Sequence, residues 1–366
     1  MSRPSQLSRL SLVPVFAVML AFSGASVRAA EPGHLPNVVI VATGGTIAGT
    51  GANSTTTVGY TAAKVGVDAL IAAVPEVKKV ANVSGEQIFQ IASESMTNDH
   101  WLKLSKRVNE LLAKPDVDGV VITHGTDTLE ETAYFLDLTV KSDKPVVMVG
   151  AMRPSTAISA DGPINIYNAV VLAGSKDAAG KGVLIAMNDE INAAREVTKT
   201  NTSLTNTFRS PELGVMGYMQ DNAPHFYRQS LRKHTARSEF DVSGLDRLPD
   251  VDIVYGYANI NPIALDAFVA HGDKGVVYAA VGDGSLGAGI KQSLVDARKK
   301  GVLVVRSSRV GNGIVARNGE ADDDQLDFVV SDTLNPQKAR ILLMLALTRT
   351  QDTRARSEEH TSELQS

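Results

Sequence analysis

The chain has no cysteine. That removes disulfides, a thiolate nucleophile and a cysteine-ligated metal, and with them the usual clue to redox compartment. Histidine is sparse, with seven in 366 residues, and none stand at metal-ligand spacing. No serine occupies a nucleophile elbow. There is no long Lys/Arg run and the formal net charge is −4, which argues against a nucleic-acid partner. No repeat of solenoid period is present. What remains, 43% hydrophobic and 21% charged residues, describes an ordinary globular chain long enough for two domains.

The first thirty residues carry an address. Arg3 and Arg9 precede or flank the apolar run Leu10–Phe22, too short for a comfortable membrane span, and small residues follow to Ala30. This is the plan of a secretory signal peptide, cut after Ala29 with Val27 and Ala29 at the small positions. A periplasmic location, with no membrane attachment after cleavage, is the expectation. At the other end, residues 355–366 lack apolar periodicity and read as a non-native tail.

Between these ends, strands alternate with helices. Strands are expected at Val38–Val41, Gln87–Ala92, Val120–Thr123, Pro145–Val149 and Val183–Met187. Helices are expected at Val67–Val74, Thr97–Ala113 (with Trp101, Leu104, Val108 and Leu111 on its core face), Leu129–Val140 and Pro163–Leu172. Residues 231–249 are charged and poor in apolar side chains, as suits a linker. A second pattern follows, with strands at Val251–Tyr257, Gly275–Val281 and Val302–Ser307 and helices at Ile263–Ala270, Ile290–Lys300 and Gln337–Leu347. The fold class is α/β: a larger N-terminal domain over 35–230, doubly wound on a mainly parallel sheet, plus a smaller C-terminal α/β domain over 250–354.

Polar residues recur just after the expected strands: Thr46 after the first, Ser93 and Glu94 after the second, Thr126 and Asp127 after the third, and Lys199 after the fifth. In a parallel sheet such ends share one edge, where ligands collect. Some of this could be helix capping, since Asp127 with Glu130, or Thr128 with Glu131, has capping-box spacing. The glycines of Thr43-Gly44-Gly45-Thr46-Ile47-Ala48-Gly49 do not match a dinucleotide fingerprint. Residues 50–61, rich in Gly, Ser and Thr and carrying Tyr60, read as a lid. Two threonines, a lysine and an aspartate suit nucleophilic chemistry. A threonine hydroxyl needs a base or a relayed proton, and a lysine beside an aspartate can relay one. Main-chain N–H groups at Gly125–Asp127 could hold an oxyanion. His124 reads as structural.

Ala42-Thr43-Gly44-Gly45-Thr46-Ile47-Ala48-Gly49 and Ile122-Thr123-His124-Gly125-Thr126-Asp127-Thr128-Leu129-Glu130 resemble the paired signature motifs of bacterial L-asparaginases. Gly150-Ala151-Met152-Arg153-Pro154, Val197-Thr198-Lys199-Thr200-Asn201 and Arg306-Ser307-Ser308-Arg309 look like the periplasmic type II enzymes and the glutaminase-asparaginases. The resemblance covers roughly Leu35 to Thr353. It implies hydrolysis of the side-chain amide of free L-asparagine, and of L-glutamine, to the acid and ammonia, with no cofactor and no metal. Thr46 would attack the amide carbon under Tyr60, while Thr126, Asp127 and Lys199 form the second catalytic group. Ser93, Glu94, Gly125 and Asp127 would bind the substrate. The position of Glu94 is glutamine in asparagine-selective members and glutamate in several with glutaminase activity. Family members are usually homotetramers with shared sites, to which Asn259 and Glu320 would contribute. An amino-acid-binding protein without turnover is the alternative that a leader and two α/β domains also fit.

Overall fold

The computed structural model describes residues 34–349. The leader at 1–29 and the tail at 355–366 lie outside them. The first half of the chain builds an eight-stranded sheet. Its parallel part comprises β1 (Asn37–Gly44), β2 (Asn82–Ile91), β3 (Gly119–Thr123), β4 (Val146–Val149) and β5 (Val183–Met187), in spatial order β2-β1-β3-β4-β5. β1, β3 and β4 are Val- and Ile-rich and, like β5, buried on both faces, whereas β2 is the half-exposed edge strand. Helices α1 (Val67–Ala72) and α4 (Gly162–Ala173) cover one face, where Val38, Ile40 and Val121 meet Leu70, Ala169 and Val170. On the other face are α2 (Asn98–Leu112) and α3 (Leu129–Thr139), where Val39, Val41, Val120 and Ile122 meet Leu104, Val108 and Leu136. The strand order reverses direction between β1 and β3. That topological switch opens a crevice outside the carboxyl ends of those two strands.

The remaining three strands of this sheet are antiparallel, and the alternating pattern did not predict them. After β5 the chain turns at Asn188 and Asp189, both at positive φ, and runs back as β6 (Glu190–Ala193). The two-stranded ladder of β7 (Thr198–Lys199) and β8 (Phe208–Arg209) follows. Then β9 (Gly217–Gln220) and β10 (Ala223–Phe226) complete the sheet through a second two-residue turn, Asp221-Asn222, also at positive φ. Asn and Asp tolerate the left-handed region that such hairpin turns require. The flanking strands, four or five residues each, are too short to show a period.

The second half forms a four-stranded parallel sheet, β11 (Val251–Tyr255), β12 (Gly275–Ala280), β13 (Leu303–Ser308) and β14 (Val329–Val330), in that order. Helices α5 (Ile263–His271) and α6 (Ala288–Lys299) pack one face through Leu265, Ile290 and Leu294. A short α7 (Asp323–Leu326) precedes β14, and α8 (Pro336–Leu347) covers the other face. Asn335 caps α8 by accepting the Lys338 backbone N–H, with Pro336 in the first turn. The charged stretch 231–249 is no loose tether: Phe240, Val242 and Leu248 are buried with Trp101, Tyr134 and Phe135 from one half and Leu342 and Val305 from the other. Trp101 lies in that core as expected, stacked on Phe135 at 5.5 Å and donating its indole N–H to Thr132 Oγ1 at 2.9 Å. Among the described residues, no helix is long and apolar enough to cross a membrane.

Candidate active site

Two glycines fix where the first loop lies. Gly44 sits at φ 112°, and a Cβ there would fall 2.4 Å from the Ile91 carbonyl oxygen at the end of β2. Gly45, at φ 82°, lies so close to the third loop that its Cβ would fall 2.3 Å from both the N and Cα of Gly125. Only glycine allows this backbone-on-backbone crossing. Thr46 is therefore held directly beside the Gly125–Asp127 segment, at the topological switch. It is buried, in a 3-10 turn closed by the Gly49 N–H on its carbonyl at 2.7 Å.

The lid closes over it. Thr50 and Thr61 exchange backbone hydrogen bonds of 2.9 and 3.0 Å, making the neck of the 50–61 loop. At that neck the Tyr60 hydroxyl shares a 2.8 Å hydrogen bond with Thr46 Oγ1. The body of the lid is tied to the segment after β4. Thr156 Oγ1 accepts the Gly51 N–H at 2.8 Å, Ser155 Oγ donates to the Gly49 carbonyl at 2.8 Å, and the Ile158 N–H reaches the Ser54 carbonyl at 2.8 Å. The Asp161 carboxylate fixes that segment through the Met152 and Arg153 N–H groups. Ser155, Thr156 and Asp161 carried no recognisable signal beyond their place in a polar loop.

On the opposite wall Lys199 donates to Thr126 Oγ1 at 3.0 Å and to Asp127 Oδ1 at 2.6 Å. Thr126 is buried, whereas the Asp127 side chain is 61% exposed and faces the crevice mouth. Capping does not explain this loop. Thr128 is the N-cap of α3, but its side chain makes no cap hydrogen bond and donates instead to the Ser93 carbonyl at 2.8 Å. Asp127 is engaged by Lys199, and Glu130 accepts the Lys199 backbone N–H at 2.8 Å. Lys199 also does not follow β5 directly. The β5–β6 hairpin carries the chain down the sheet, and β7 returns it to the start of α3.

Ser93 is buried under the same crossing, since a Cβ at Gly125 would fall 2.5 Å from Ser93 Oγ. Glu94 stands exposed in the turn that follows. His124 is fully buried, and its Nδ1–H donates to the Gly125 carbonyl at 2.7 Å. Burial pushes the imidazole down to about 4, so the ring is neutral and serves as packing. Asn259 and Glu320 lie on exposed turns of the second half, Asn259 at φ 60° after β11 and Glu320 before α7. Among the described residues, no hydrogen bond of the Thr46, Thr126 and Lys199 cluster reaches either one. Within one chain the structure thus brings together Thr46, Tyr60, Ser93, Gly125, Thr126, Asp127 and Lys199, and among the described residues ties neither Asn259 nor Glu320 to them by a hydrogen bond. Among the described residues there is also no group of three or more carboxylates and imidazoles placed to hold a metal ion.

A family model described as asparaginase, N-terminal, matches residues 37–232. Another, the glutaminase/asparaginase C-terminal domain, matches residues 250–358. Over 327 residues the chain is 57% identical to the L-asparaginase 2 of Bacillus subtilis, covering 89% of this chain and 86% of that one. It is 53% identical over 321 residues to the glutaminase-asparaginase of Pseudomonas fluorescens, covering 87% and 88%. A crystal structure of a probable cytoplasmic L-asparaginase from Campylobacter jejuni superposes with a TM-score of 0.87 at 50% identity, covering 89% of this chain and 99% of that one.

Proposed function

This chain belongs to the asparaginase family of amidohydrolases, and from that premise we propose that Thr46 is its nucleophile and free L-asparagine, with L-glutamine, its substrate. Membership of a hydrolase family displaces the reading as a binding protein without turnover. The observation that carries the assignment is the Lys199 ammonium, held between Thr126 Oγ1 and Asp127 Oδ1 on a loop packed against the loop of Thr46. Thr46 Oγ attacks the side-chain amide carbon and its proton passes to the departing nitrogen, which leaves as ammonia. The acyl group stays on Thr46 as an ester until water hydrolyses it. Tyr60, hydrogen-bonded to Thr46 Oγ1, orients the nucleophile and takes part in its proton transfer. Lys199 exchanges a proton between Thr126 and the Asp127 carboxylate, which lets Thr126 activate the nucleophile or the water. Backbone N–H groups at Gly125–Asp127 face the developing oxyanion. Ser93, Glu94 and Asp127 bind the α-carboxylate and α-ammonium ends.

We place the protein in the periplasm on the leader read at 1–29, and its domains at 35–230 and 250–354. We assign it a homotetramer in which Asn259 and Glu320, both exposed on their own chain, complete a neighbour's site. The deciding measurement is ammonia release from asparagine. Thr46→Ala is expected to abolish it while leaving the far-ultraviolet circular dichroism and the melting temperature close to those of the parent. Lys199→Met and Thr126→Val should each lose on the order of 3 kcal/mol or more of transition-state stabilisation. A folded Thr46→Ala protein with near-normal turnover would overturn the assignment.

A further inference from the structure

Lys199 belongs to a ladder only two residues long, which cannot by itself hold an ammonium group within hydrogen-bonding distance of two partners. Its placement comes from elsewhere. Glu130, the second residue of α3, is buried, and its Oε2 accepts the Lys199 backbone N–H at 2.8 Å. Its Oε1 faces the first turn of α8, accepting from Gln337 Nε2 at 2.5 Å and Asn335 Nδ2 at 3.3 Å. Asn335 Nδ2 also lies 3.4 Å from Thr198 Oγ1, on the residue before Lys199. Below this, the fully buried Lys338 donates to the carbonyls of Ala194, Arg195 and Val197, the turn that leads into β7. Lys199 is thus gripped at its backbone and along its approach by side chains that are themselves gripped.

We propose that Glu130, held by Asn335 and Gln337 of α8, is a positioning residue that sets the Lys199 ammonium over Thr126 and Asp127. The first turn of a helix from the second half of the chain is then part of the relay. The assignment rests on the relay role of Lys199 argued above. Its chemical sense lies in a shared reference point. Glu130 lies in the first turn of α3 and Thr126 and Asp127 on the short loop that leads into it, so the backbone and the ammonium of Lys199 are both indexed to one continuous loop–helix segment. Misplacement of a catalytic group by even 1 Å slows turnover by about 100-fold. A carboxylate also suits the role better than an amide, because it can accept from Lys199 N and from α8 simultaneously with charge-assisted bonds.

The test uses the full chain and four proteins: parent, Glu130→Gln, Lys199→Met and the double variant. Glu130→Gln is expected to lower kcat for asparagine on the order of 10- to 100-fold, with KM changed by less than about threefold. In the Lys199→Met background the same substitution should remove nothing further, because there is no longer an ammonium to position. Unchanged kcat in a folded Glu130→Gln protein would overturn the proposal. So would a loss confined to KM, or a loss that multiplies with that of Lys199→Met. Should Glu130→Gln fail to fold, Gln337→Leu, at a half-buried position, is read the same way: a kcat loss of several-fold supports the proposal and an unchanged kcat overturns it. High activity in Lys199→Met would be a different result, overturning the relay itself.

Discussion

At position 94 a carboxylate stands exposed, one residue past the buried Ser93. On the proposed substrate orientation it meets the α-ammonium group through a charge-assisted bond, roughly twice as strong as a neutral one. Firm anchoring at that end favours the substrate that is one methylene longer, and discrimination by a methylene is worth only about 1–3 kcal/mol. Glu94→Gln should therefore lower kcat/KM for glutamine more than for asparagine, and an unchanged ratio in the two proteins would make Glu94 a bystander. His124, thirty residues on, bears on pH. Its folded value of about 4 lies below the ordinary 6.5 because burial disfavours the cation. A base with a depressed folded pKa contributes full stability above pH 6.5 and loses it as the pH falls toward 4. From this one residue, acidification from pH 7 to 5 should remove about 2 kcal/mol of stability. The check is urea unfolding at both pH values for parent and His124→Asn, whose pH dependence should be smaller by that amount.

The crossing of two loops is an element-scale device. Gly45→Ala would place a methyl group within 2.3 Å of the Gly125 backbone at a positive φ. Neither loop can yield without moving a strand end. A loss of more than about 2 kcal/mol of stability is expected, together with turnover. Calorimetry and ammonia release on the same sample would show whether the two fail together. Elements of this kind were legible to different degrees. The parallel strands and their helices could be read because each is long enough to show its period, as with Trp101, Leu104, Val108 and Leu111 on α2. Thr46, Thr126 and Asp127 stood out by lying just after such strands. The antiparallel returns at Asn188-Asp189 and Asp221-Asn222 join strands of four or five residues and left only their turn residues as a sign. Asp127 with Glu130, and Thr128 with Glu131, have capping-box spacing, but the Glu130 and Thr128 side chains turn to Lys199 and Ser93. Such partners, 35 and 69 positions away in the chain, are beyond any local pattern. Lys338 gave no sign at all, since nothing in a helical lysine announces that it will be buried against three carbonyls.

For the whole molecule, the shared-site proposal can be put to a mixing experiment. Thr46→Ala and Glu320→Ala proteins should each be nearly inactive alone. If Glu320 serves the neighbour's Thr46, mixed oligomers contain sites built from one intact half of each. Random reassembly of equal amounts should then restore roughly a quarter of parental activity, since isologous pairing makes half of the interfaces mixed and half of their sites whole. No recovery, or a fully active monomer in sedimentation under assay conditions, would confine each site to its own chain. The grip of α8 on the approach to Lys199 has a consequence in time as well. Thr46, Thr126 and Lys199 leave the ribosome long before Pro336–Leu347, yet Lys338 holds the carbonyls of 194, 195 and 197. A chain arrested between Lys199 and Asn335 carries Thr46, Thr126, Asp127, Lys199 and Glu130, yet lacks the side chains of Asn335, Gln337 and Lys338 that hold Glu130 and the approach to β7. On the positioning role proposed here, the full rate of hydrolysis is acquired only once Pro336–Leu347 has been made, and a translation product that stops short of it is slowed by at least the loss expected of Glu130→Gln.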